Sequence, residues 1–166
     1  MQLPDLVALC EVENDSVLFD LTKRSVIRTA GYEYVMTDSP DERGIDVALM
    51  YQPFSFSLIH SWSIRVKRLP DTRPTRDILY VSGRVITGDT LHVFVVHAPS
   101  RRGGERESRP YRLQVASQLA EAVDSIYALQ GRAKIIVAGD FNDYHDSPAL
   151  EYLYQHHLIN ISAGAR

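Results

Sequence analysis

Asp140 and Asn142 stand two residues apart behind an apolar run, in Lys134-Ile-Ile-Val-Ala-Gly-Asp-Phe-Asn142. Side chains alternate along extended backbone, so the two share one side of the chain. The carboxylate is negative and accepts hydrogen bonds, whereas the amide both donates and accepts. Such a pair suits a water molecule or a hard cation on one group and a phosphate oxygen on the other. The apolar run reads as a buried strand, and in sheet proteins sites gather where strands end. The same residues also suit an Asx turn closing a strand.

Further positions carry chemistry. Glu11 follows Leu6-Val-Ala-Leu-Cys10, at the end of a second buried strand where an unpaired carboxylate is costly. A hard divalent ion such as Mg²⁺ would supply its missing partner. The alternative is a surface charge just past the strand, with Glu13 competing on the same face. His97 shares a strand face with Leu91, Val93 and Val95, which by itself reads as a structural histidine; His92 points the other way. Arg101, Arg102, Arg106, Arg109 and Arg112 then crowd the chain. Guanidinium forks match phosphate oxygens, so Arg101 and Arg102 are candidate substrate contacts. The later arginines read as helix-surface residues, with Glu105 and Glu107 as partners. Asp46 is either a buried network acid beside Arg43 or part of a site edge, and Asp143 reads as structural.

Gly139-Asp-Phe-Asn142 resembles the signature of the endonuclease/exonuclease/phosphatase superfamily, metal-dependent phosphoesterases with the deoxyribonuclease I-like fold. Three other segments resemble that family, in its order. Pro4–Asn14 resembles the early strand ending in a metal-binding glutamate, here Glu11. Arg43–Tyr51 resembles the next core strand. His92–Gly104 resembles the strand that delivers an active-site histidine, here His97. The resemblance spans about Leu3 to about Leu153. It implies hydrolysis of a phosphodiester or phosphomonoester, with His97, Asp140 and Asn142 catalytic and Arg101 and Arg102 on the substrate. It also implies Mg²⁺ (or Mn²⁺) on Glu11 and a phosphate-ester substrate, nucleic acid among the candidates.

The sequence departs from the family pattern at both ends. The family's opening asparagine strand and closing Ser-Asp-His-like segment have no match, and His156-His157 do not supply the latter. The expectation is therefore an incomplete domain, impaired in isolation, whose open sheet edges favour self-association. A degenerate binding or regulatory domain is the second reading. A non-enzymatic nucleic-acid-binding domain is the least supported, given the net charge of −3.

The elements that would position these residues follow from periodicity. Composition is globular, with 45% hydrophobic and 23% charged residues over 166 positions, consistent with one domain. Lone Cys10 excludes an internal disulfide, no membrane-length apolar run occurs, and compartment is not legible. Strands are predicted at Leu6–Val12, Tyr32–Thr37, Asp46–Tyr51, Phe54–Val66, Ile78–Thr87, Thr90–His97 and Lys134–Ala138. A helix is predicted over Asp15–Thr29, capped by Asp15 or Ser16, with Val17, Leu18, Leu21 and Ile27 inward and Gly31 ending it. The longest helix is expected to start at Ser108 with Pro110 in its first turn, and a short one to span Pro148–His156. Strands mixed with crossing helices indicate an α+β fold. The family resemblance specifies a deoxyribonuclease I-like two-sheet sandwich flanked by helices, incomplete at both termini.

Overall fold

A computed structural model describes residues 3–70 and 72–162. The chain divides into two compact units: the first runs to His97 and resumes for Lys134–Asp140, and the second comprises Ala98–Ala133 and the chain from Phe141 onward.

The first unit is a pair of sheets. Strands β1 (Leu6–Val12), β2 (Glu33–Met36) and β3 (Asp46–Tyr51) form an antiparallel sheet in the order β1-β3-β2. Strands β4 (Phe56–Ile64), β5 (Ile78–Val85), β6 (Thr90–His97) and β7 (Lys134–Asp140) form the other, in the order β4-β5-β6-β7. Only β6 and β7 run parallel, as the long connection between them permits. Alternation decides the layering: Val47, Leu49 and Tyr51 of β3 meet Leu79 and Val81 of β5 and Val93 and Val95 of β6 in one core. Helix α1 (Asp15–Phe19) covers the other face of the small sheet, where Leu18 packs with Val12 and Ala48.

Local chemistry corrects several expected boundaries. The helix predicted over Asp15–Thr29 is three short segments: α1, a π-helical turn over Asp20–Arg24, and a 3₁₀ turn over Val26–Ala30. The break falls at Ser25, which leaves the helical region (ψ −177°) and caps the last segment by accepting from the Ile27 N–H. Asn14, not Asp15 or Ser16, is the N-cap, accepting from the Val17 N–H; Val17 itself is exposed. Gly31 ends the last turn in the left-handed conformation, as predicted. The β5–β6 connection is also longer than the predicted Gly88-Asp89 pair, because β5 stops at Val85 and residues 86–89 all lie outside the strands.

In the second unit, α2 (Glu105–Leu129) and α3 (Pro148–Tyr154) are in contact. Helix α2 starts before Ser108, so that residue is not the cap and Pro110 lies inside the helix. The Ser108 hydroxyl instead donates to the Gly104 carbonyl at 2.6 Å. Helix α2 buries Ala116, Leu119, Ala120 and Val123. Arg112 breaks the surface assignment. It is 1% exposed and pairs with Asp143 at 2.7 Å and Glu105 at 2.7 Å. A buried guanidinium needs such partners, and Asp143, itself buried, is structural as predicted.

Candidate active site

Parallel pairing of β6 with β7 sets His97 opposite Asp140 at the carboxyl ends of both strands. His97 Nε2 lies 4.0 Å from Asp140 Oδ2, the imidazole buried and the carboxylate 55% exposed. The approach depends on Gly139, whose φ of +133° brings β7 against the Val96 backbone. A β-carbon there would sit 1.9 Å from the Val96 carbonyl oxygen.

Glu11 reaches solvent through a β-bulge. The β1–β3 register shifts between Cys10 and Val12, and Glu11 has φ of +59°. Bulges re-aim side chains beside sites. This one separates exposed Glu11 from buried Val12, while Glu13, also exposed, lies past the strand. Glu11 and Asp140 are both close enough to His97 to act on its charge.

The surroundings of His97 favour the neutral form of its ring. Burial is the main cause that lowers its pKa below the ordinary imidazole value, and the Arg76 charge adds to it; Asp140 and Glu11 oppose both. Its Nδ1 is buried and has no hydrogen-bond partner among the described residues. The Nε2 side therefore faces the carboxylate and suits the N–H tautomer, a hydrogen-bond donor rather than a cation.

Arg76 was not among the sequence candidates. It is 5% exposed, donates from Nε to the His97 carbonyl at 3.1 Å, and pairs with Asp41 at 3.2 Å. It thus anchors the end of β6. The signal for it was slight: a charged pair, Arg76-Asp77, immediately before the apolar start of β5. Asp46 proves to be a network acid, accepting from the Thr37 hydroxyl at 2.6 Å and the Ser39 N–H at 2.8 Å, while Arg43 pairs with Asp41 instead.

The second unit holds the remaining candidates. Asn142 has φ of +50°, and its amide donates to the Ala98 carbonyl at 3.0 Å. Left-handed backbone at a non-glycine residue is strained, and both Glu11 and Asn142 show it. Arg101 lies over the Tyr144 ring at 4.2 Å and pairs with Glu105 at 3.7 Å; Arg102 is exposed.

No three His, Cys, Asp or Glu side chains among the described residues converge into a metal cage. Mg²⁺ does not require one, because it keeps several waters and takes one or two carboxylates beside substrate phosphate oxygens. Glu11, with Asp140 close to the same histidine, fits that donor chemistry.

No curated protein matches the chain. Its fold is similar to the human Nocturnin catalytic domain with bound sulfate, at 22% identity and TM-score 0.71, covering 90% of this chain and 55% of that one. ANGEL2, a 2′,3′-cyclic phosphatase in complex with adenosine-2′,3′-vanadate, aligns at 21% identity and TM-score 0.70, covering 91% and 43%. D. rerio TDP2 complexed with a single-strand DNA product aligns at 20% identity and TM-score 0.62, covering 91% and 52%. The chain thus spans about half the length of these neighbours. At these identities the likeness establishes the α+β, deoxyribonuclease I-like fold alone. The family itself is shown by sequence, since its model matches residues 1–157: the chain belongs to the endonuclease/exonuclease/phosphatase family.

Proposed function

We propose that the chain carries the catalytic residues of a divalent-metal-assisted phosphoesterase acting on a phosphodiester or phosphomonoester. The observation that carries this reading is the parallel register that sets His97 beside Asp140, with bulged Glu11 close enough to His97 to act on its charge. Glu11 would hold Mg²⁺ or Mn²⁺, which when bound supplies positive charge to the phosphoryl and leaving oxygens. Asp140 accepts a hydrogen bond from water and so orients its lone pair toward phosphorus. Neutral His97 donates from Nε2 to a phosphoryl oxygen, where negative charge grows in the transition state. The family resemblance assigns a phosphate contact to Asn142 and substrate contacts to Arg101 and Arg102, all three in the second unit. Membership of the family supports the reaction class. No described helix is long and apolar enough to cross a membrane.

Two substitutions test the reading. Asp140→Asn keeps volume but removes the charge that orients water, and is expected to lower phosphodiester hydrolysis by about a hundredfold or more. Glu11→Gln removes an anionic oxygen and should weaken Mg²⁺ binding by calorimetry as well as raise the Mg²⁺ requirement. Wild-type turnover in both variants would refute these roles. A wild-type protein with no millimolar-range Mg²⁺ response would favour a degenerate binding domain instead.

A further inference from the structure

The main core of the first unit is open along one side. Among the described residues β1 is paired with β3 alone and β7 with β6 alone, so neither has a strand along its other edge. These two edges lie together: β1 and β7 are in contact, and the Cys10 thiol donates to the Val96 carbonyl at 3.6 Å. Register identifies their core-facing residues. Leu6, Ala8 and Cys10 are level with Tyr51, Leu49 and Val47, and Ile136 and Ala138 with Val93 and Val95. Val93 and Val95 are buried, whereas Ile136, one strand further out on the same face, is 43% exposed. The β4 side differs, because there the buried Phe56 ring closes over Gly83.

The open edges lack the usual guards against pairing. Leu6–Cys10 and Ile135–Gly139 contain no charge and no proline, whereas β4 carries a bulge between Leu58 and His60 that blunts its edge. Charges stand only at the ends of β7, Lys134 at its start and Asp140 at its finish. A two-fold axis normal to the sheets would pair each strand with its own copy, antiparallel. Centred on Ile136, that pairing sets Ile136 against Ile136 of the second copy, and Lys134 opposite Ala138, diagonal to Asp140. Unlike charges then meet at both ends, while a parallel arrangement would bring like charges together. Lys134 pairs with Asp89 on the exposed surface and can be shared. The same axis suits β1. Cys10 abuts Val96, the register partner of Gly139, and two residues back along each strand lie Ala8 and Val137.

We infer that this open side is an interface between two copies of the chain, with β7 paired to β7 and β1 to β1 across a two-fold axis. Ile136 of each copy closes the core of the other. Each strand has seven residues, so the face is about 23 Å long, and two stacked sheets make it about 20 Å deep. Joining two such faces buries roughly 900 Å² in total, the low end for a specific interface, and a micromolar dimer is the expectation. Gly139, at φ of +133°, turns β7 off the extended path, so the pairing ends before Asp140. The interface does not depend on the phosphoesterase reading.

Sedimentation of the whole chain from about 1 to about 300 µM should show the mass rise from 18.8 kDa toward twice that value. Ile136→Lys sets two ammonium groups on the axis and should weaken the dimer about a hundredfold or more, leaving a monomer. Its circular dichroism should match wild type, because Ile136 is already exposed in a single copy. Ile59→Lys, similarly exposed on β4, should dimerise like wild type. Mild oxidation of Ile136→Cys should give a covalent dimer, since the two side chains face each other, and wild type with Cys10 alone should not. A monomer at the highest concentration overturns the proposal, as does a dimer that survives Ile136→Lys. Failure of Ile136→Cys to cross-link overturns the two-fold pairing, and loss of the dimer in Ile59→Lys would move the contact to β4 and refute this interface.

Discussion

Replacing Gly139 by alanine should separate β6 from β7 at the point where His97 meets Asp140. Two costs combine. The backbone at φ of +133° is one that L residues rarely adopt, worth about 1–3 kcal/mol. The new β-carbon would also sit 1.9 Å from the Val96 carbonyl oxygen and 2.9 Å from the Val96 nitrogen, and both are backbone atoms that cannot rotate away. Forced backbone shifts of this kind cost about 1–3 kcal/mol more, for a total near 4 kcal/mol. Gly31 supplies the control. Its φ of +71° is also left-handed, but nothing lies within 4 Å of an added β-carbon. Gly31→Ala should therefore cost only about 1 kcal/mol. With a urea slope of about 2 kcal/mol/M, the midpoint should fall by about 2 M for Gly139→Ala and about 0.5 M for Gly31→Ala. Equal shifts for the two variants would show that β6 and β7 do not approach this closely, and the His97–Asp140 geometry would go with it.

Arg112→Met should cost about 3–5 kcal/mol by leaving the Asp143 carboxylate buried without its cation, with Arg112→Met/Asp143→Leu recovering most of it. Thermal denaturation checks this, and a loss below about 1 kcal/mol for the single change would refute the buried pair. Asp77 is raised above its ordinary 3.8 by burial, with Arg65 and the Val66 backbone pulling the other way. A raised folded pKa means that the folded state binds the proton more tightly, so this contribution is complete below pH 3.8 and lost as pH rises through the folded value. Asp77→Asn should therefore raise the melting temperature at neutral pH, and the gain should vanish in acid; a gain independent of pH would contradict the assignment.

Much of this protein was legible from residue order because it rests on short-range physics. The strands at Leu6–Val12, Asp46–Tyr51 and Thr90–His97 match their predicted bounds, since apolar runs with turn residues at both ends leave the chain few choices. The four family-like segments identified the family, and the resemblance, rather than periodicity, implied the sheet pair. Ser25 ended a helix that periodicity alone would continue, and only the competing cap at that serine explains the break. Tertiary structure decided the rest. The bulge that exposes Glu11 is a matter of register against β3, which no local pattern encodes. Arg112 belongs to a run of arginines that reads as solvated surface, and it is buried because Asp143, 31 positions away, returns to meet it. Arg76 gains its role from the His97 carbonyl, 21 positions on. The closeness of His97 and Asp140 likewise belongs to neither strand alone. It arises from parallel pairing across a glycine with no side chain to hold the strands apart.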